Sequence, residues 1–188
     1  MPIQTQIIRP TAITSITGWS IGQLAPFLDR IGDGDNSTLV LQTSDTCAAA
    51  GIEFESLGLL QQNATINSIK LVYRCQKLKG DIKINSVISD DLGSYSSIPI
   101  TVDNLVLEDV ELPELTVDSS GAALTTTNID GLSLEFDVQH LNSPPGEAFR
   151  LTLADIFFIV SIETPAGPRT ITLNSGTITL DSGKITVE

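Results

Sequence analysis

Residues 132–139 read Leu132-Ser-Leu-Glu-Phe-Asp-Val-Gln139, an unbroken alternation in which Leu132, Leu134, Phe136 and Val138 face one way and Ser133, Glu135, Asp137 and Gln139 the other. A period of two describes a strand with one dry face and one wet face, and it excludes an amphipathic helix. The same reading holds for Ile69, Leu71, Tyr73 and Cys75, which are opposed by Lys70 and Arg74. Sheets with one solvated face are characteristically antiparallel, because crossover helices cover both faces of parallel ones.

Outward from these two segments, the apolar runs predict a first core strand at Leu39 and Leu41, then strands over Ile52–Leu60, Ile66–Gln76, Asp81–Ser89, Ser97–Leu107, Leu132–Leu141 and Leu151–Glu163. Short strands punctuated by turns at this spacing predict an all-β antiparallel sandwich. The last of them is apolar on both faces through Ile156-Phe-Phe-Ile-Val160, so it is expected to lie centrally or to carry a second contact on its outer side. Before the first strand, Ile21, Leu24, Leu28 and Ile31 have helical spacing, which Pro26 limits to a turn or two. Residues 1–18 have no clean period and are expected to form an extended arm, with the sandwich over 19–163.

The C-terminal segment 164–188 has a different grammar. Pro165-Ala-Gly-Pro168 is a joint, followed by Thr170-Ile-Thr-Leu-Asn-Ser-Gly176, then Thr177-Ile-Thr-Leu-Asp-Ser-Gly183, then Lys184-Ile-Thr-Val-Glu188. Each unit is a four-residue alternation closed by a reversing turn, which predicts a small β ribbon. Three strands this short bury too little to stand alone, so the ribbon reads as an assembly element needing another surface. Ile7 and Ile8 of the arm, with Ile171, Leu173, Ile178 and Leu180 of the ribbon, are the expected interface residues.

The chain has 188 residues, enough for one domain with a sizeable core. With 23 acidic and 10 basic side chains its net charge is −13, which would repel a phosphate backbone; nucleic acid is not an expected ligand. No segment has the length and apolarity to span a bilayer, no export signal opens the chain, and a soluble protein is expected. Cys47 and Cys75 are expected to be reduced core residues. Five of the ten basic residues, Lys70, Arg74, Lys77, Lys79 and Lys83, fall on one expected hairpin, while 103–118 is acidic without a base. They are read as solvated faces, with a contact between subunits as the alternative.

Candidate chemistry is thin. His140 is the only histidine, which rules out a multi-histidine zinc site and leaves any histidine-dependent nucleophile without an evident partner. Asp33 and Asp35, flanking Gly34, are candidate calcium ligands. A full calcium loop needs a closing Glu, yet counting from Asp29 or Asp33 the position holds Val40 or Ser44, so no metal and no cofactor are expected. No carboxylate pair is placed across a cleft by spacing alone, and Asp90 and Asp91 are simply adjacent. Catalytic residues are accordingly expected to be absent.

Several stretches together resemble the single-domain jelly-roll proteins of tailed-bacteriophage virions. They are Thr17-Gly-Trp19, the Asp33-Gly-Asp-Asn36 turn leading to Leu39-Val-Leu41, the strand Ile69–Arg74, Thr126-Thr-Asn-Ile-Asp-Gly-Leu132, and Asp155–Ile162. The resemblance covers about Thr17 to Glu163 and does not extend to the repeat. It implies a jelly-roll sandwich and a structural role in the virion: a capsid decoration or cement protein, oligomeric and trimeric by preference, bound to the major capsid protein or another virion protein. The alternative it implies is a tail or fibre component that binds carbohydrate or a receptor, for which Trp19 and Tyr95 are the available aromatic platforms.

Overall fold

The computed structural model describes residues 3–20, 24–35, 38–41, 48–57, 65–140, 149–163, 169–173, 176–181 and 184–187. In chain order the elements are β1 (Ile3–Ile8), β2 (Pro10–Thr17), α1 (Leu24–Ile31), β3 (Val40–Leu41), β4 (Ala48–Phe54), β5 (Thr65–Lys79), β6 (Ile82–Asp90), β7 (Gly93–Ser94), β8 (Ile98–Val102), β9 (Glu108–Glu111), α2 (Thr126–Asp130), β10 (Ser133–His140), β11 (Arg150–Glu163), β12 (Arg169–Leu173), β13 (Gly176–Asp181) and β14 (Lys184–Val187).

All pairings are antiparallel. One sheet runs β1-β11-β5-β9, with β3 also on β11; the other runs β2-β4-β10-β6, continued by β7 and β8 on β6. Without β1, β2 and the short β7, the orders β3-β11-β5-β9 and β4-β10-β6-β8 are those of an eight-stranded jelly roll, in which successive strands cross from sheet to sheet except at β6 and β8, which are neighbours in one sheet. The chain is an all-β sandwich of that kind.

The core lies between the sheets. β5 contributes Ile69, Leu71, Tyr73 and Cys75, β10 contributes Leu134, Phe136 and Val138, and β11 contributes Leu151, Leu153, Ile156, Phe158, Val160 and Ile162. The inward set of β11 changes parity between Leu153 and Ile156 because the ladder with β5 is irregular between Leu153 and Asp155, where one residue is taken up as a bulge. At the centre, the Tyr73 hydroxyl of one sheet and the Ser86 hydroxyl of the other are hydrogen-bonded at 2.8 Å, and both residues are fully buried. Trp19 meets Phe27 and Phe136 edge-on, with ring centroids 5.5 and 6.0 Å away.

The segment expected as an extended arm is extended and paired. Residues 3–17 are two strands, one in each sheet, with the change of sheet at Arg9. The reason lies in β11, whose outer edge is covered by β3 only at Thr152 and Leu153; β1 completes that edge from Phe158 to Glu163. The period of two is hidden in β2 because its ladder shifts register between Pro10 and Ala12 and again between Ile13 and Ser15. The expected hairpin of basic residues is corrected: β5 and β6 lie in different sheets, joined by a tight corner at Gly80 with φ +74°. A Cβ at Gly80 would lie 2.9 Å from Cβ of Phe149 and 3.0 Å from Nε2 of His140, so the corner admits only glycine without displacement.

Candidate functional site

The alternation that sends Tyr73 and Cys75 inward sends Lys70, Val72, Arg74 and Gln76 to the outer face of the β1-β11-β5-β9 sheet. There the register sets Val72 opposite Phe157 and Arg74 opposite Asp155. Val72 and Phe157 are buried, yet neither belongs to the core between the sheets. What covers Phe157 is cationic: Cζ of Arg9 lies 5.7 Å and Cζ of Arg74 5.8 Å from its ring centroid. The doubly apolar character of β11 thus has two causes, a central place in the sheet and a small roofed cluster on the outer side.

Each guanidinium is also ion-paired. Arg74 donates from Nε and Nη2 to the two carboxylate oxygens of Asp109 at 2.6 and 2.8 Å, a bidentate fork. Arg9 donates from Nη1 to Oδ2 of Asp155 at 2.8 Å. Along the same face Lys70 pairs with Glu111 at 2.9 Å, Ser68 donates to Glu114 at 3.1 Å, and Lys77 lies 3.7 Å from Asp103. The basic row and the acidic row therefore meet within one chain. The row read as a solvated face is exposed at Asp103, Glu108, Asp109 and Glu111, and what the sequence did not show is that Glu108–Glu111 is strand β9, paired to β5 over Val72–Cys75.

Asp155 is 1% exposed while its partner Arg9 is 34% exposed. Burial pushes the Asp155 carboxyl up, and the hydrogen bond and charge of Arg9 pull it back only in part, so it stays above the ordinary aspartate value. Its Oδ1 has no hydrogen-bond partner among the described residues. Arg9 is held elsewhere too: its backbone N–H donates to Glu55 Oε1 at 2.9 Å, and its side chain lies on Gly34, where a Cβ would come within 2.8 Å of Nη2. The pair thus ties β11 to Arg9, the residue where the chain changes sheet.

The expected site residues fall in different places. Ile7 is 45% exposed on the outer face of β1, as an interface residue requires, but Ile8 is fully buried in the core of its own chain. Ile8 is therefore withdrawn as an interface residue, because adjacent strand positions face opposite ways. Ile171 and Leu173 lie on β12, Ile178 and Leu180 on β13. Trp19 is 5% exposed and donates from Nε1 to the Ala49 carbonyl at 3.2 Å, which removes it as a sugar platform. Tyr95 is half-buried with its hydroxyl donating to the Val117 carbonyl at 3.1 Å.

Asp33 accepts the Asp35 N–H on Oδ1 and the Thr38 hydroxyl on Oδ2, each at 2.7 Å, the pattern of an Asx turn. Among the described residues no group of three or more His, Cys, Asp or Glu side chains is placed to hold a metal ion. His140 packs edge-on against Phe149, centroids 5.6 Å apart. Cys75 is fully buried and its thiol is pushed up to about 12, first by desolvation; Cys47 lies outside the described residues.

Sequence reasoning missed the role of Asp90. It accepts hydrogen bonds from Leu92 N, Gly93 N, Ser119 N and Ser119 Oγ at 2.6–3.0 Å, clamping the 118–121 turn to the end of β6. Burial alone would raise this carboxyl, but the four donors outweigh it and hold it below the ordinary value. On the outer face of the other sheet, Ser15, Ala49, Val87, Glu135 and Asp137 line a depression of about 280 Å³. Asp137 accepts from Asn85 Nδ2 at 3.0 Å, and the aromatic residue of the lining, Phe136, is buried on the core side.

No protein-family model matches the chain, and no curated protein matches it. Among solved structures the chain is similar to that titled "Structure of PfGH50B", at 14% identity over 79% of this chain and 23% of that one, with a TM-score of 0.41. It is similar to an exo-beta-agarase at 10% identity over 89% of this chain and 24% of that one, TM-score 0.41. It is also similar to the structure titled "Desmodium yellow mottle tymovirus", at 11% identity over 88% and 91%, TM-score 0.29. The chain spans about a quarter of the length of the first two.

Proposed function

We propose that the chain is a non-enzymatic structural protein of a virus particle, a decoration or cement protein of a tailed-phage head whose copies associate and bind the shell protein. The observation that carries this reading is the ribbon β12-β13-β14. Its register sets Ile171, Ile178 and Val187 in one row, Leu180 and Ile185 beside Arg169 in another, and Leu173 opposite Gly176, so these positions share one face of the ribbon that is aliphatic but for Arg169. The intervening rows Thr170-Thr179-Thr186 and Thr172-Thr177 make the other face almost wholly threonine. Among the described residues these strands pair only with one another. A three-stranded sheet with one aliphatic face is half of a core, and closed symmetry supplies the rest: three copies would bring three such faces into a triangular prism. Three side chains that a hydrolase or a sugar site could use are otherwise engaged: Trp19 lies in the core, Asp90 accepts four hydrogen bonds, and Cys75 is buried.

Light scattering and co-sedimentation test the proposal. Wild-type protein is expected to be a trimer or a multiple of one at micromolar concentration and to pellet with assembled phage heads. Ile171→Asp with Ile178→Asp in the full chain is expected to dissociate the trimer while leaving the circular dichroism of the sandwich in place. A wild-type monomer that ignores assembled heads would overturn the reading; pelleting with purified tail fibres in place of heads would move the chain to the fibre.

A further inference from the structure

We infer that β1 is a self-pairing edge, joining the β1-β11-β5-β9 sheet of one copy to that of a second copy through an antiparallel β1–β1 contact across a two-fold axis at Thr5. This inference rests on the edge itself and stands apart from the ribbon contact and the virion role.

The edges of the sandwich are not equivalent. β2 carries Pro10 and two register shifts, β8 carries Pro99, β3 and β7 have two residues each, and β9 is Glu-Asp-Val-Glu. Proline, bulges, brevity and charge are the devices by which proteins keep strand edges from pairing. β1 has none of them. It is six residues, Ile-Gln-Thr-Gln-Ile-Ile, regular in register from Ile3 to Ile8, and paired among the described residues only to β11. In a chain of net charge −13, an uncharged edge is where two copies approach with least repulsion.

The occupant follows from the order of the residues. Ile3-Gln4-Thr5-Gln6-Ile7 reads the same in both directions. An antiparallel partner centred on Thr5 therefore places Ile3 opposite Ile7 of the second copy, Gln4 opposite Gln6, and Thr5 opposite Thr5. Ile3 and Ile7 are 67% and 45% exposed, and Thr5 is exposed between them. All three share the outer face, since Ile8 and its parity turn to the core. Pairing covers both isoleucines of each copy and extends the strip through Ile159, which lies opposite Ile7 on β11. Threonine on threonine and aliphatic on aliphatic are favourable cross-strand neighbours. No second segment of the described chain offers this strand an equally matched sequence.

The register makes the test specific. Opposed residues of an antiparallel pair have Cα atoms about 4.5–5.5 Å apart, within disulfide range, whereas the diagonal neighbours are about 7–8 Å apart. In full-length protein carrying Cys47→Ser, Thr5→Cys alone is expected to yield a covalent dimer on mild oxidation. Gln4→Cys alone and Gln6→Cys alone are expected to stay monomeric on a denaturing gel, and an equal mixture of the two to cross-link. Thr5→Lys, which faces two ammonium groups across the axis on an exposed position, is expected to weaken association on the order of tenfold. The Thr5→Cys dimer should persist when Ile171→Asp and Ile178→Asp abolish the ribbon contact. Absence of the Thr5→Cys dimer, or equal cross-linking at all three positions, would overturn the inference; loss of the ribbon contact with this dimer retained would count only against the trimer.

Discussion

Replacing Arg9 by Ala would remove the guanidinium 2.8 Å from Asp155 Oδ2, the group that does most to hold this buried carboxyl ionised, and would leave only the Ile156 backbone N–H and the more distant charge of Arg74 to offset its burial. Removing one member of a fully buried pair costs about 3–5 kcal/mol. Only the carboxylate is fully buried here, and the 34% exposure of Arg9 screens its side of the pair, which brings the expected loss to about 2 kcal/mol. The sign with pH is fixed by Asp155. Its folded-state pKa is raised, so the native state binds the proton more readily than the unfolded chain, and stability falls as pH climbs from the ordinary carboxylate range through the folded value. Without Arg9 that rise is larger, so the loss from Arg9→Ala should be greater at pH 7 than at pH 4.5. Urea unfolding followed by the buried Trp19 measures it at both pH values, and Asp155→Asn in the Arg9→Ala background should recover a good part of the loss. A loss under about 0.5 kcal/mol, or one equal at the two pH values, would refute the argument that Arg9 exists to neutralise a buried charge.

Tyr73→Phe strands the fully buried Ser86 hydroxyl and should lower stability by about 1–2 kcal/mol in the same urea assay, with Ser86→Ala in addition restoring part of it. Gly80→Ala forces a side chain into φ +74° against Phe149 and His140, and a loss of roughly 2 kcal/mol or more is expected; a neutral effect would mean the corner is not tight. Asp90 has a depressed pKa, so its contribution is present above the ordinary carboxylate range and is lost as pH falls through its folded value. The stability gap between wild type and Asp90→Asn should therefore be widest near pH 6 and close toward pH 2 in acid titrations. Native protein treated with iodoacetamide should leave Cys75 unmodified by peptide mass mapping until denaturant is added, since the thiol is buried and pushed up to about 12.

The sandwich was legible in the sequence wherever one face is dry and the other wet, as along β10 and β5, because alternation is a direct image of the pleat. It was illegible where the pleat is interrupted or the residues are small. β4 begins with Ala-Ala-Ala-Gly, which have little strand preference, and Gly51 is held there because β2 crosses so closely that a Cβ would run into Thr14 Oγ1. β9 reads as an acidic loop because its charges are answered by Arg74 and Lys70 from more than 30 positions away. Helix α2, Thr126–Asp130, is built of weak helix formers and is fixed by the reciprocal cap between Thr125 and Asn128. Of the two residues of β1 expected at an interface, strand parity separates the exposed Ile7 from the buried Ile8.

The joining of β1 to β11 has a consequence for how the chain folds. Ile8 pairs with Phe158, and β5 waits for the same strand along its whole length, so the sheet closes only when nearly all of the sandwich sequence has been synthesised. Contacts of such sequence separation make folding slow. During that interval β1 exists as an uncharged strand with both edges open, and two nascent chains on one messenger hold their β1 segments at high local concentration. Replacement of β11 by a neighbour's β1 is then a competing reaction, and synthesis rate and temperature become variables that set the yield of correctly closed protein.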